Sequence, residues 1–84
     1  MRIRPETPAD APAIFRVNEL AFGQPAEARL VDALRGTAHW IAELSLVADD
    51  AGEVVGHVLF TRMALRDGTR VSPALALAPV AVHP

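Results

Sequence analysis

The sequence contains no cysteine and no tyrosine, and only one tryptophan, in its 84 residues. Without cysteine there is no disulfide framework and no thiolate chemistry, and a zinc ion would have to be held by histidine and carboxylates alone. Lysine is missing too. The eight basic residues are all arginine, scattered from Arg2 to Arg70, and acids outnumber them to give a net charge of −2. No basic stripe stands out, so nucleic acid is not an expected partner. No apolar run approaches the roughly 18 residues of a membrane span. The opening "MRIRPETPAD" has no apolar stretch of the signal-peptide kind, so a soluble, cytoplasmic protein is the expectation. Apolar residues are plentiful, at 51%, yet a chain this short buries only roughly 60% of its unfolded surface. It is one domain at most, or a piece of one.

The segments that are present alternate between two periods. "MRIR" predicts a short strand over residues 1–4, with Met1 and Ile3 on one face. A helix then starts between residues 8 and 11. Thr7 can cap it with Pro8 in first position and Asp10 three residues on, while a start at Ala11 capped by Asp10 avoids the bond that Pro12 would cost. Ile14, Val17 and Ala21 recur at helical spacing with Leu20 beside them, until Gly23 and Pro25 break the pattern. "PAEARLVDALRG" predicts a second helix with Leu30, Val31 and Leu34 as its apolar stripe and Gly36 at its end. Residues 37–43 show no clear period. "LSLVA" puts Leu44, Leu46 and Ala48 on one strand face, "DDAGE" is a turn, and "VVGHVLFTRMAL" is a long strand, so residues 44–65 predict an antiparallel hairpin. "RDGTRVSP" reads as a loop or a wider turn before a final strand at 74–82. The order β-α-α-β-β-β predicts a layered α/β (α+β) fold, with helices packed on a mixed, mostly antiparallel sheet.

The final strand, "ALALAPVAV", holds a phase shift. Leu75 and Leu77 share one face, and Val80 and Val82 share a face that is out of step with the leucines. If all four are buried in one layer, an extra residue sits between Leu77 and Val80. That makes a β-bulge, and Pro79 is where a residue without an N–H is tolerated. Alternatively both faces are buried, which the alanines at 74, 76, 78 and 81 permit. A bulge would leave backbone groups beyond it facing a gap, where an extended, amide-rich ligand could pair or an oxyanion could be stabilised.

"PVAVHP" after an alanine- and leucine-rich strand, preceded by "LSLVADDAGEVVGHVLF", resembles the GNAT superfamily of N-acetyltransferases. The opening "IRPETPADAPAIFRVNELAFG" is similar to that family's first strand and first helix, and the likeness runs along essentially all 84 residues. It implies the N-terminal half of an acyl-CoA N-acyltransferase fold, a single partial domain over residues 1–84. It also implies transfer of an acetyl group from acetyl-CoA, the co-substrate, directly to a small-molecule or peptide amine. The family's pantetheine arm lies along the fourth strand past its bulge, which corresponds here to the backbone of Val80, Ala81 and Val82. The loop between the first two helices, Phe22, Gly23, Gln24 and Pro25, would border the acceptor. Family members continue after "HP" into Arg/Gln-x-x-Gly-x-Gly/Ala, which opens a helix and binds the CoA pyrophosphate through backbone N–H groups. That loop, the fifth strand that completes the cleft, and the family's thiolate-protonating tyrosine are absent from these residues. The expectation is therefore an inactive first half. It would offer the edge of residues 74–82 to another copy or to a complementary C-terminal half.

The catalytic base has no assignment, because residues 74–82 carry no acid. Glu19 and Glu27 flank the interhelical loop but read first as solvated helix charges. His57 is weighed as a base or ligand against a structural histidine, and the structural role is expected. His83 is read as a strand-ending residue near the cofactor loop. His39, His57 and His83 show no metal spacing, so no metal site is expected. Trp40 and Phe60 are expected to cover the sheet, Asn18 and Gln24 to make loop hydrogen bonds or touch a polar acceptor, and Gly56 to mark a close approach or a bulge.

Overall fold

The structure is a computed structural model. It describes residues 1–38 and 40–84, with the side chains of residues 63, 65–67, 72–76 and 78 left aside. The chain runs β1 (Arg2–Pro5), a 3-10 turn (Pro8–Asp10), α1 (Ala11–Phe22), α2 (Ala26–Arg35), β2 (Trp40–Asp50), β3 (Glu53–Asp67) and β4 (Arg70–Val82). The four strands form one sheet in the order β1-β2-β3-β4, and every pairing is antiparallel.

Both predicted helix starts are used, one after the other. The Asp10 carboxylate accepts from the Thr7 backbone N–H at 2.7 Å and from the Thr7 hydroxyl at 3.0 Å, which closes the 3-10 turn. The α-helix then begins at Ala11, where Pro12 sits in a first turn whose N–H groups have no helical partner to lose. Gly23 ends α1 in the left-handed conformation at φ 70°, its N–H donating to the Glu19 carbonyl at 2.9 Å.

Two boundaries differ from the expectation. β2 starts at Trp40 rather than Leu44. Its pairing with β3 is irregular between Trp40 and Ser45, which explains why residues 37–43 show no period. "RDGTRVSP" is not a wide loop. Asp67 pairs with Arg70, so β3 and β4 are joined by the two residues Gly68 and Thr69, with Gly68 at φ 61°. A left-handed glycine suits so short a hairpin connection.

The bulge is present in β4. Val80 pairs with Val58 and Leu77 with Phe60, so β4 advances three residues where β3 advances two. The extra residue realigns Leu77 with Val80 and Val82, as the phase shift requires. The burial from which the bulge was argued does not hold, nor does burial of both faces: Leu77, Val80 and Val82 are 58%, 51% and 67% exposed. The helices pack on the other face, where Ala81 is buried together with Ile14, Val17, Ala28, Val31, Val47 and Leu59. A small alanine lets a helix approach closely, and the larger valines and leucine turn away from it. Leu75, expected in the same layer, has its side chain outside the described residues.

Leu44, Leu46 and Ala48 of β2 do share a face, but it is the helix-free face, and Ser45 and Val47 point to the core. Leu30 of α2 and Leu20 of α1 are also exposed, with Ala28 and Val31 taking the core positions in α2. Trp40 is half-buried against the Ile14–Val31–Val47–Leu59 cluster, with the Arg35 guanidinium 5.2 Å from its ring centre. Phe60 is half-buried.

Candidate functional site

The last turn of β4 is the first element of the site. Past the bulge, the His83 N–H donates to the Val55 carbonyl at 2.7 Å. Antiparallel ladders alternate, so this bond directs the main-chain groups of Ala81 toward β3 and those of Val80 and Val82 toward the outer edge. β4 is an edge strand among the described residues, so that edge carries no further strand. On the helix-free face a shallow apolar trough of about 160 Å³ is lined by Ile3, Leu46, Val58, Val80 and Val82. Gly56 makes its floor close to β4. A Cβ there would lie 3.4 Å from both the Ala48 Cβ and the Ala81 carbonyl oxygen. A bulge also sits beside it, at Val55, where the β2–β3 register shifts. Both readings of Gly56 therefore hold.

The interhelical loop is the second element. Phe22, Gly23 and Gln24 are exposed at the end of α1, and the Gln24 amide donates to the Glu27 carboxylate at 3.0 and 3.3 Å. Helix α1 packs against both β3 and β4. The trough does not take in Phe22–Gln24, nor does the larger groove of about 490 Å³ between α1 and the β2–β3 turn, where Arg16, Leu20, Glu53 and His83 meet. Glu19 is exposed, and Glu27 is held by Gln24.

A third feature joins residues that the sequence reading took singly: His57 is structural, as expected, whereas Asn18 lies buried within α1 rather than in a loop. A line of buried polar side chains crosses the space between the helices and the sheet. The Asn18 amide nitrogen of α1 lies 2.9 Å from the Ile14 carbonyl and 3.3 Å from Nδ1 of His57 in β3. His57 Nε2 lies 2.9 Å from the Ser45 hydroxyl of β2, which donates to Oε1 of Glu6 in the segment after β1. Arg35 of α2 closes the line on Glu6 at 3.1 Å. Asn18, Ser45 and His57 are all buried. Burial holds His57 well below its ordinary value, at about 4; the positive charge of Arg35 adds to this, and Glu6 opposes it. His57 is thus a neutral structural histidine. The sequence singled out His57 and Asn18 one at a time, and Ser45, Glu6 and Arg35 gave no signal.

A second polar cluster pins the N-terminus. Arg4 bonds Asp10 at 2.7 and 3.0 Å and Asp49 at 3.1 Å. The Arg4 guanidinium holds the Asp10 carboxyl far below the usual carboxylate range, and Asp49 is lowered by the Gly52 N–H and then by Arg4. Among the described residues no three histidine or carboxylate side chains gather as a metal site, and no helix is long and apolar enough to cross a membrane. His39 lies outside the described residues.

Known proteins resemble this chain along most of its length. The uncharacterised N-acetyltransferase YjhQ of Escherichia coli K12 is 43% identical over 77 residues, covering 90% of this chain and 42% of YjhQ. The uncharacterised N-acetyltransferase YhbS of the same strain is 45% identical over 62 residues, covering 73% of this chain and 36% of YhbS. The crystal structure of a GNAT family acetyltransferase from Brucella melitensis, in complex with acetyl-CoA, superposes with a TM-score of 0.83 at 38% identity. That match covers 99% of this chain and 55% of the Brucella chain. No family model matches the sequence. The chain spans less than half the length of these two curated relatives.

Proposed function

The chain belongs to the GNAT superfamily of N-acetyltransferases, as an N-terminal portion of that fold, and from that premise we propose that it forms part of an enzyme moving an acetyl group from acetyl-CoA to an amine. The observation that carries this reading is the interruption of β4 at Pro79. It leaves the main-chain groups of Val80 and Val82 on an open edge beside an apolar trough. The pantetheine arm of acetyl-CoA carries two amides, which suit such an edge as an added strand would. Of the Val80, Ala81 and Val82 backbone named from the resemblance, Val80 and Val82 offer the outward groups of the proposed seat, and Ala81 between them turns its own groups to β3. An N–H aimed at the thioester carbonyl would stabilise the negative charge that develops on its oxygen as the amine attacks. Phe22, Gly23 and Gln24 are proposed to border the acceptor, a small-molecule or peptide amine. Residues 74–82 carry no carboxylate, so the proton leaving the amine passes to groups elsewhere. A cytoplasmic location is part of the same proposal.

These 84 residues form a partial domain in this reading. Acetyl-CoA binds them weakly and is not turned over, because the pyrophosphate loop and the opposing wall of the cleft belong to the rest of the fold. A second reading rests on the exposed apolar face. Leu77, Val80 and Val82, together with Ile3 at 62% exposure, offer a surface and an edge to another copy or to a complementary C-terminal half.

Both readings are tested by titrating the 15N-labelled chain with acetyl-CoA and following its amide spectrum. Shifts centred on Val80–Val82 at high ligand concentration are expected. Saturation at micromolar acetyl-CoA would refute the weak-binding reading, and shifts confined to α2 or β1 would refute the proposed seat. Broadening of the same residues with protein concentration, before ligand is added, is the expected sign of self-association.

A further inference from the structure

The line of polar groups through His57 has a direction. The Asn18 amide nitrogen lies within hydrogen-bond reach of both the Ile14 carbonyl and His57 Nδ1. The carbonyl accepts only, so the group facing it must be the NH2, and its second hydrogen points at Nδ1. His57 Nδ1 is therefore the bare nitrogen, and Nε2 carries the proton. Nε2–H donates to Ser45, and Ser45 donates to Glu6, which pairs with Arg35. Every donor in the line points toward Glu6. One atom is left over: Asn18 Oδ1 is buried and has no partner among the described residues.

Placing a proton on His57 Nδ1 reverses this junction. Two donors then face each other, and the atom able to accept from the new N–H is the idle Oδ1 on the far side of the same amide. We propose that Asn18 and His57 form a proton-responsive latch between α1 and β3. Neutral His57 holds the amide nitrogen, and protonation at Nδ1 turns the amide by half a rotation, so that Oδ1 faces the ring and the bond to Ile14 is given up. The proton comes from solvent and stays on Nδ1, and no bond beyond hydrogen bonds is made or broken. The turned state is the poorer one, since the amide nitrogen loses the Ile14 carbonyl and Oδ1 is brought toward it.

The groups around the ring leave the amide as its proton-sensitive neighbour. Ser45 from β2 faces Nε2, with Glu6 from the segment after β1 and Arg35 from α2 behind it. β4 presents Ala81 opposite His57, which does not titrate. Asn18 lies about one helical turn before Phe22, so the latch sets how firmly the last turn of α1, and the loop after it, is held to the sheet. The latch stands independently of the acetyl-transfer reading.

Its test is nitrogen NMR of the imidazole in the full 84-residue chain. At neutral pH, His57 should show a pyridine-type Nδ1 and a pyrrole-type Nε2. On acidification the Asn18 side-chain NH2 signals should move with the same midpoint as the ring, and exchange of the backbone amides of residues 18–23 should speed up together with them. The opposite tautomer, or Asn18 signals that stay still while the ring titrates, would overturn the latch. Asn18→Asp supplies an acceptor without any rotation, and should raise the His57 midpoint by more than one pH unit while the native amide dispersion persists. An unchanged midpoint in that variant would overturn the latch equally. If the variant does not fold, the ring and amide signals of the unsubstituted chain decide.

Discussion

Removing the Ser45 hydroxyl would cut the polar line at its centre. The hydroxyl accepts from His57 Nε2 at 2.9 Å and donates to Glu6, and the side chain is fully buried. Ser45→Ala leaves a buried ring N–H without an acceptor, which costs about 1–3 kcal/mol, and takes one charge-assisted bond of about 1.5–3 kcal/mol from Glu6. These losses overlap, because Glu6 keeps Arg35, and a net loss of roughly 3 kcal/mol is expected. An 84-residue domain at about 0.05–0.15 kcal/mol per residue has only about 4–13 kcal/mol to lose. The change should thus be visible as a large drop in the urea midpoint, read from the fluorescence of Trp40, the single tryptophan. Pairing Ser45→Ala with His57→Leu should cost less than the sum of the two, since the second change removes the orphaned donor. A loss under about 0.5 kcal/mol, the usual size for surface changes, or strict additivity of the pair would show that the line is not a connected unit.

Leu59→Ala, in the centre of the core, should cost about 2–5 kcal/mol, whereas Leu77→Ala on the exposed face should stay within about 0.5 kcal/mol; denaturant titration separates them. His57 in the folded chain sits near 4 against an ordinary 6.5, so the unfolded chain binds the extra proton first as pH falls. Stability should therefore be intact above pH 6.5 and decline by up to about 3 kcal/mol toward pH 4, and His57→Leu should flatten that slope. Asp10 and Asp49 are both lowered when folded. Their contribution is present above the ordinary carboxylate value and should disappear below it, as a second acid loss that Arg4→Ala reduces but does not abolish, since Thr7 and Gly52 keep their bonds to the two carboxylates. Val82→Pro removes an N–H assigned to the outer edge, so it should fold and lose the acetyl-CoA-induced shifts. Ala81→Pro removes one directed at β3 and should unfold, and circular dichroism with ligand titration checks both. Light scattering should show association of the chain that Val80→Lys suppresses.

The element order, the bulge at Pro79 and the helix stop at Gly23 were legible because each depends on local backbone chemistry. A proline and a phase shift in apolar residues mark a bulge wherever the strand lies. Which face of the sheet meets the helices was not legible. Leu46, Leu77, Val80 and Val82 outrank Ser45, Val47 and Ala81 in apolar surface, yet they face away. The choice follows from helix approach distance and from the polar line, both long-range facts. Residues 37–43 hid the start of β2 because the irregular pairing after Trp40 removes the period itself. In the site, backbone positions on β4 could be named from pattern and resemblance. The partnership of Glu6, Asn18, Ser45, His57 and Arg35 joins five segments, and no spacing along the chain encodes it.

The ribbon made by β3 and β4 outreaches the rest of the molecule. Fifteen residues of β3 at roughly 3.3 Å each give about 50 Å, close to the 48 Å long axis. The twelve residues of α1 span only about 18 Å. Much of that ribbon is thus held by rungs between its own two strands. Its far end can be lengthened or trimmed, two residues from each strand at a time so that the turn keeps its kind of closing pair, without disturbing Ile14, Val31, Val47 or Leu59. The reach of the ribbon is therefore a dimension that evolution or a designer can tune separately from the body that anchors it.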